Sequence, residues 1–129
     1  MKINKFEDLK IWKASIRLTK EIYKITSSVC FKKDFPLRDQ LRRSIVSISS
    51  NIVEGFEKNN NNELIRFLKI AKGSAGEARN QVYVCSEINY IEKNEFIRIN
   101  NLLLELINQI GKFIVYLENK KRNGQFKKH

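Results

Sequence analysis

Residues 35–55 read Phe35-Pro36-Leu37-Arg38-Asp39-Gln40-Leu41-Arg42-Arg43-Ser44-Ile45-Val46-Ser47-Ile48-Ser49-Ser50-Asn51-Ile52-Val53-Glu54-Gly55. Leu37, Leu41, Ile45, Ile48 and Ile52 are spaced by three or four residues, so at about 100° per residue they form one narrow apolar stripe on a helix. Asp34 is placed to cap that helix, and Pro36 falls in its first turn, where the missing N–H costs nothing. Val46 and Val53 project on nearly the opposite side, while Ser44, Ser47, Ser49 and Ser50 keep much of the remaining surface small. A helix that is apolar on two sides wants two partners, one in its own core and one outside it.

The same period extends outward in both directions. A first helix is predicted from about Glu7 to Thr26, with Leu9, Trp12, Ile16, Thr19 and Tyr23 on one face and the Thr26-Ser27-Ser28 cluster ending it. Gly55 is read as the end of the second helix. The run Asn59 to Asn62 is a linker, in which Asn60 caps a third helix with Glu63 at its third position. That helix is predicted from Asn61 to Tyr90 along Leu64, Leu68, Ala71, Ala75, Ala78, Val82 and Cys85. Gly73 and Gly76 weaken it by about 1 kcal/mol each relative to alanine, so either another backbone packs there or the helix kinks. A fourth helix starts at Asn94 with Phe96, Ile99, Leu103, Ile107, Ile110, Ile114 and Leu117 as its core stripe, and Ile97, Leu104 and Val115 as a second strip. Four long helices with short connections imply an all-α, up-down-up-down antiparallel four-helix bundle, residues 1–119, followed by a basic tail, residues 120–129. The surplus apolar strips imply a homo-oligomer.

Composition agrees with few, long elements. The 129 residues suit one domain, and five glycines and one proline leave little turn chemistry for an all-β or doubly wound fold. No stretch approaches the roughly eighteen uncharged residues of a membrane span, and Met1 to Lys13 lacks the apolar run of a signal peptide, so a cytoplasmic protein without membrane partners is expected. Cys30 and Cys85 have no metal-like spacing and read as structural thiols.

The only histidine is His129, and no Gly-rich phosphate loop is present. Internal His-carboxylate metal sets of the kind found in di-iron bundles are therefore not available, and neither catalysis, a metal nor a cofactor is expected. Glu54 and Glu77 are read as packing or register ion-pair partners in preference to an acid/base pair.

Lys and Arg number 25 against 14 Asp and Glu, a net charge of +11, the balance of a protein that meets polyanions. A sequence rich in Asn, Ile and Lys also reflects an AT-rich gene, so the position of the charge matters more than its total. Arg38, Arg42 and Arg43 lie within two turns, with Asp39 as a candidate partner of Arg43, and Lys69, Lys72 and Arg79 share one side of the third helix. Phosphate contact and a solvated basic face both fit these residues. Lys120, Lys121 and Arg122 open the tail, which reads equally as a solubilising end or a phosphate-contacting arm.

The segment from Phe35 to Gly55 resembles the signature of the bacterial ribosomal-RNA intervening-sequence proteins. Phe6, Leu9 and Trp12 match that family's opening pattern, and Ala71, Gly73, Ser74 and Glu77 its later helical motif. Val53 stands where the Asn-Ile-Ala-Glu-Gly motif has alanine, and Ala75-Gly76 replaces a bulkier pair. The resemblance reaches about Leu117 and implies a left-handed four-helix bundle assembled as a homopentameric ring. A remoter resemblance, to the accessory protein of diversity-generating retroelements, implies a basic barrel that binds nucleic acid and is used only as an analogy. Within the motif, Asn51 and Glu54 are expected to serve as buried or interfacial hydrogen-bonding groups, and Gly73, Ser74 and Glu77 as structural positions. Two functions follow: a non-catalytic oligomer contacting RNA or DNA backbones through Arg38, Arg42, Arg43, Lys69, Lys72, Arg79 and the tail, or a scaffold that binds a protein partner.

Overall fold

A computed structural model describes residues 3–122, and among them every regular element is helical. A 3-10 turn at Phe6–Asp8 leads into α1 (Lys10–Ile25), a short α2 (Val29–Lys32), α3 (Phe35–Glu57), α4 (Asn61–Glu87) and α5 (Lys93–Arg122). The local signals at α3 and α4 act as expected. Asp34 accepts a hydrogen bond from the Leu37 amide at 3.3 Å, and Asn60 accepts one from the Glu63 amide at 3.0 Å. Asn59 and Asn89 take the left-handed conformation, with φ of 53° and 64°, and turn the chain just beyond α3 and α4.

Ser44 of α3 meets Glu77 of α4, and Ser47 meets Ser74, so these helices run antiparallel. Lys69 and Arg79 of α4 meet Glu118 and Asn100 of α5, in descending order again. α5 also runs antiparallel to α1, with Glu21 beside Arg98 and Ile11 near Gln109. The four long helices therefore alternate in direction around one core, with α1 closing the circle against α3 and α5.

The core stripes of α3 and α4 are those read from the sequence. Ile45, Ile48 and Ile52 are fully buried, each contributing roughly 1.5–3 kcal/mol, and Leu68, Ala71, Ala75 and Ala78 face them. The three alanines let the neighbouring helices approach closely.

Four expectations change. The buried face of α1 is Ile11, Ser15, Leu18, Ile22 and Ile25; Trp12, Ile16 and Thr19 are only half-buried, and Tyr23 is exposed. Both strips have helical spacing, and the mainly aliphatic one wins the core because its single polar group, the Ser15 hydroxyl, is satisfied within the helix by donating to the Trp12 carbonyl at 2.7 Å. In α5, Leu106 is buried and Ile107 half-buried. Residues 26–34, read as a plain connection, hold α2, whose Phe31 is fully buried against the Tyr90 ring. α5 continues through Lys120, Lys121 and Arg122, past the expected start of the tail; positions 123–129 lie outside the described residues.

Candidate assembly and nucleic-acid surfaces

A polar seam joins α3 to α4 along one side. The Ser44 hydroxyl donates to Glu77 Oε1 at 3.1 Å, and Ser47 and Ser74 share a hydrogen bond of 2.9 Å. Asn51 Nδ2 donates back to the Ser47 carbonyl at 2.8 Å and to its hydroxyl at 3.0 Å. Small hydroxyls at this spacing let two helices pack closely while still satisfying their polar atoms. At the end of the seam a Cβ on Gly55 would sit 2.7 Å from Phe67 Cβ. Gly55 thus lies buried inside α3, two residues before its end, where it permits close approach instead of terminating the helix. The expectation of a helix stop is corrected, because the left-handed residue is Asn59.

Beside the seam lies an open cleft of about 840 Å³ lined by residues that include Asp34, Gln40, Arg43, Ser44, Ser47 and Glu77. Arg43 and Glu77 share its wall without forming an ion pair. Glu54 is exposed and makes no hydrogen bond or ion pair among the described residues.

The six helix cations do not form one surface. Asp39 pairs with Arg38, not with Arg43, at 2.9 Å, and the Arg38 guanidinium lies over the Phe35 ring. Arg42 stacks on Tyr23 at 4.5 Å and donates to Thr26 Oγ1 at 2.8 Å, which holds it against α1. Across α4, Arg79 donates to Asn100 at 2.9 Å and Lys69 pairs with Glu118 at 3.4 Å, both toward α5. Arg43 and Lys72 alone of the six lack a hydrogen bond, ion pair or ring contact among the described residues. Helical phase separates them: Arg42 of α3 borders α1, Arg43 lines the α3–α4 cleft, and the cations of α4 border α5. Lys120 lies over the Tyr116 ring, and Lys121 is exposed.

On the α4–α5 side, Gly73, Gly76, Ile107, Gly111, Ile114 and Val115 line a groove of about 680 Å³, edged by Lys69, Lys72 and Glu118. Apart from each glycine's own neighbours and helix backbone, no atom of the described residues comes within 4 Å of a Cβ built on Gly73 or Gly76, and α4 runs unbroken through both. Neither a packed backbone nor a break in the helix within this chain accounts for these glycines. Gly111 completes the groove and was not singled out in the sequence; its mid-helix position, as costly as those of Gly73 and Gly76, was the available signal. Ser44 and Ser47 were likewise read only as small, and their partners became visible with the pairing of α3 and α4.

The two cysteines differ. Cys85 is buried in the core, and burial, helped by the Asp34 carboxylate, pushes its thiol up to about 11. Cys30, read with Cys85 as a structural thiol, is exposed. The Tyr90 hydroxyl donates to Asp34 Oδ2 at 2.9 Å, and this bond, together with burial, holds its phenol above the usual range. Among the described residues no group of three or more His, Cys, Asp or Glu side chains could hold a metal ion, and no helix is long and apolar enough to cross a membrane.

The chain is similar to a protein of unknown function from the S23 ribosomal protein family of Bacteroides thetaiotaomicron, known from its crystal structure. The two are 26% identical with a TM-score of 0.73, over 81% of this chain and 97% of that one. No curated protein sequence matches the chain. The sequence pattern of the 23S rRNA-intervening sequence proteins matches residues 7–112, from the turn before α1 into α5. This chain therefore belongs to the 23S rRNA-intervening sequence protein family.

Proposed function

We propose that this chain is a non-catalytic bundle that assembles with copies of itself, as a homopentameric ring, and contacts nucleic-acid backbones through its excess positive charge. The observation that carries the reading is the uncovered groove at Gly73 and Gly76. Each glycine costs about 1 kcal/mol in the middle of a helix, and nothing among the described residues uses the space it leaves. A helix of a second copy would use it. Ile70 on α4 and Val115 and Tyr116 on α5 are exposed, while Val46 and Glu54 are exposed on α3. Two unlike faces meeting head to tail favour a closed ring over a two-fold dimer. The net charge of +11 supports the nucleic-acid part.

Sedimentation velocity of the wild type, Val115→Asp and Glu54→Ala tests the assembly. The wild type is expected as one closed oligomer and both variants as smaller species; a monomeric wild type at tens of micromolar would sink the reading. Titration against structured RNA at two salt concentrations tests the second part, with weaker binding expected at the higher salt. No binding at low salt, together with a protein partner that survives nuclease treatment, would replace it with the adaptor reading.

A further inference from the structure

The outer face of α1 carries a line of like charge that none of the surfaces above includes. Lys10, Lys13, Arg17, Lys20 and Lys24 recur at spacings of three, four, three and four. At about 100° per residue they occupy a sector of roughly 80°, nearly opposite the buried Ile11, Leu18 and Ile22. All five are exposed, and none of their side chains makes a hydrogen bond, ion pair or ring contact among the described residues. The only acidic residue of α1, Glu21, is held by Arg98 of α5 at 2.7 Å. Glu7 and Asp8 stand in the turn before α1 and pair with none of the five.

Like charges at three- and four-residue spacing repel and weaken a helix by about 0.2–0.5 kcal/mol per pair, and an anionic partner laid along the line would relieve that repulsion. We infer that it is a docking track for the phosphate backbone of a nucleic-acid duplex. The inference rests on the nucleic-acid part of the proposed function but moves the contact from the cations of α3 and α4 to α1. Fourteen residue steps at about 1.5 Å give a track of about 21 Å, comparable to six phosphate steps along one strand. The sector holds no Asn or Gln to read adenine and no aromatic ring to stack on bases, and its evenly spaced cations match a line of phosphates, so the contact depends little on sequence. A lipid surface fits poorly, because the apolar face of α1 is used up in the core. Most exposed large apolar side chains lie on α3, α4 and α5, and α1 contributes only Tyr23, so the track stays open when the other faces are covered.

The test is fluorescence anisotropy with 20-base-pair RNA and DNA duplexes, two unrelated sequences of each, at several salt concentrations. The full-length Arg17→Gln/Lys20→Gln variant is compared with wild type and with Lys58→Gln/Lys93→Gln, which removes the same charge elsewhere. Circular dichroism and sedimentation check fold and assembly. Expected is a loss of at least tenfold at about 50 mM salt for the α1 variant, with the slope of log affinity against log salt smaller by about two, and a change under threefold for the control. The two sequences of a kind should bind alike, and the RNA and DNA arms identify the backbone used. Wild-type binding weakened equally by both variants overturns the track while leaving the proposed function standing. Absence of wild-type binding removes both. Loss of assembly in the α1 variant, a sequence preference above tenfold, or α1-dependent binding to poly-glutamate without binding to either duplex overturns the track as well.

Discussion

Gly55 of α3 and Phe67 of α4 meet so closely that a Cβ on the glycine would fall 2.7 Å from the Cβ of the phenylalanine, with the Leu64 Cα only 3.4 Å away. Alanine would gain about 1 kcal/mol of helix propensity there. It would also force apart two helices whose atoms at that point belong to, or adjoin, the backbone. Gly55→Ala is expected to lower unfolding stability by about 1–2 kcal/mol, as a shift of the urea midpoint.

Gly73 and Gly76 predict the opposite sign for the isolated chain. A methyl group at either position meets open space, so each alanine should add up to about 1 kcal/mol to the stability of the monomer. If a second copy occupies the groove, the same substitutions should weaken assembly. Urea unfolding at low protein concentration, paired with sedimentation at high concentration, separates the two effects. Stabilisation with unchanged assembly would remove the groove from the interface.

Asp34 serves two elements at once, with Oδ1 capping α3 and Oδ2 accepting from Tyr90 beyond the end of α4. Asp34→Ala should cost about 2 kcal/mol, from the lost cap and the lost charge-assisted bond, and Tyr90→Phe about 1 kcal/mol. The double variant should cost less than their sum, because the shared bond can be lost only once. Strict additivity in denaturant unfolding would mean that the bond contributes nothing.

The buried Cys85 thiol makes stability depend on alkaline pH. Its folded value, about 11, lies above the ordinary value of 9.0, so the fold favours the neutral thiol. The unfolded chain therefore loses this proton first, and stability should fall as pH rises from about 9 to 11, by up to about 2 kcal/mol. The raised Tyr90 phenol acts in the same direction. Cys85→Ala should flatten the dependence. At pH 8, alkylation should modify exposed Cys30 in the native protein and reach Cys85 only on unfolding.

Much of the fold is legible in the amino-acid sequence. Leu37 to Ile52 and Leu64 to Cys85 carry single strong stripes, and Asp34 and Asn60 are local caps whose chemistry depends only on their neighbours. α1 was harder, because Trp12, Ile16 and Tyr23 form a second strip as regular as Ile11, Leu18 and Ile22. The five evenly spaced cations of its outer face, Lys10 to Lys24, are equally visible in the same period.

The sequence alone determined the four long helices, the Asp34 and Asn60 caps, the approximate helix ends and the net positive charge, because these depend on residue type and on periods of three to four. Tertiary structure decided which strip of α1 is buried and that Gly55 spaces two helices instead of ending one. It also decided that Gly73 and Gly76 face open space and that Arg38, Arg42, Lys69 and Arg79 already have partners. Each of these turns on the rotation of one helix about its axis relative to its neighbours. A single turn of sequence leaves that rotation open, and only the packing of the whole core resolves it.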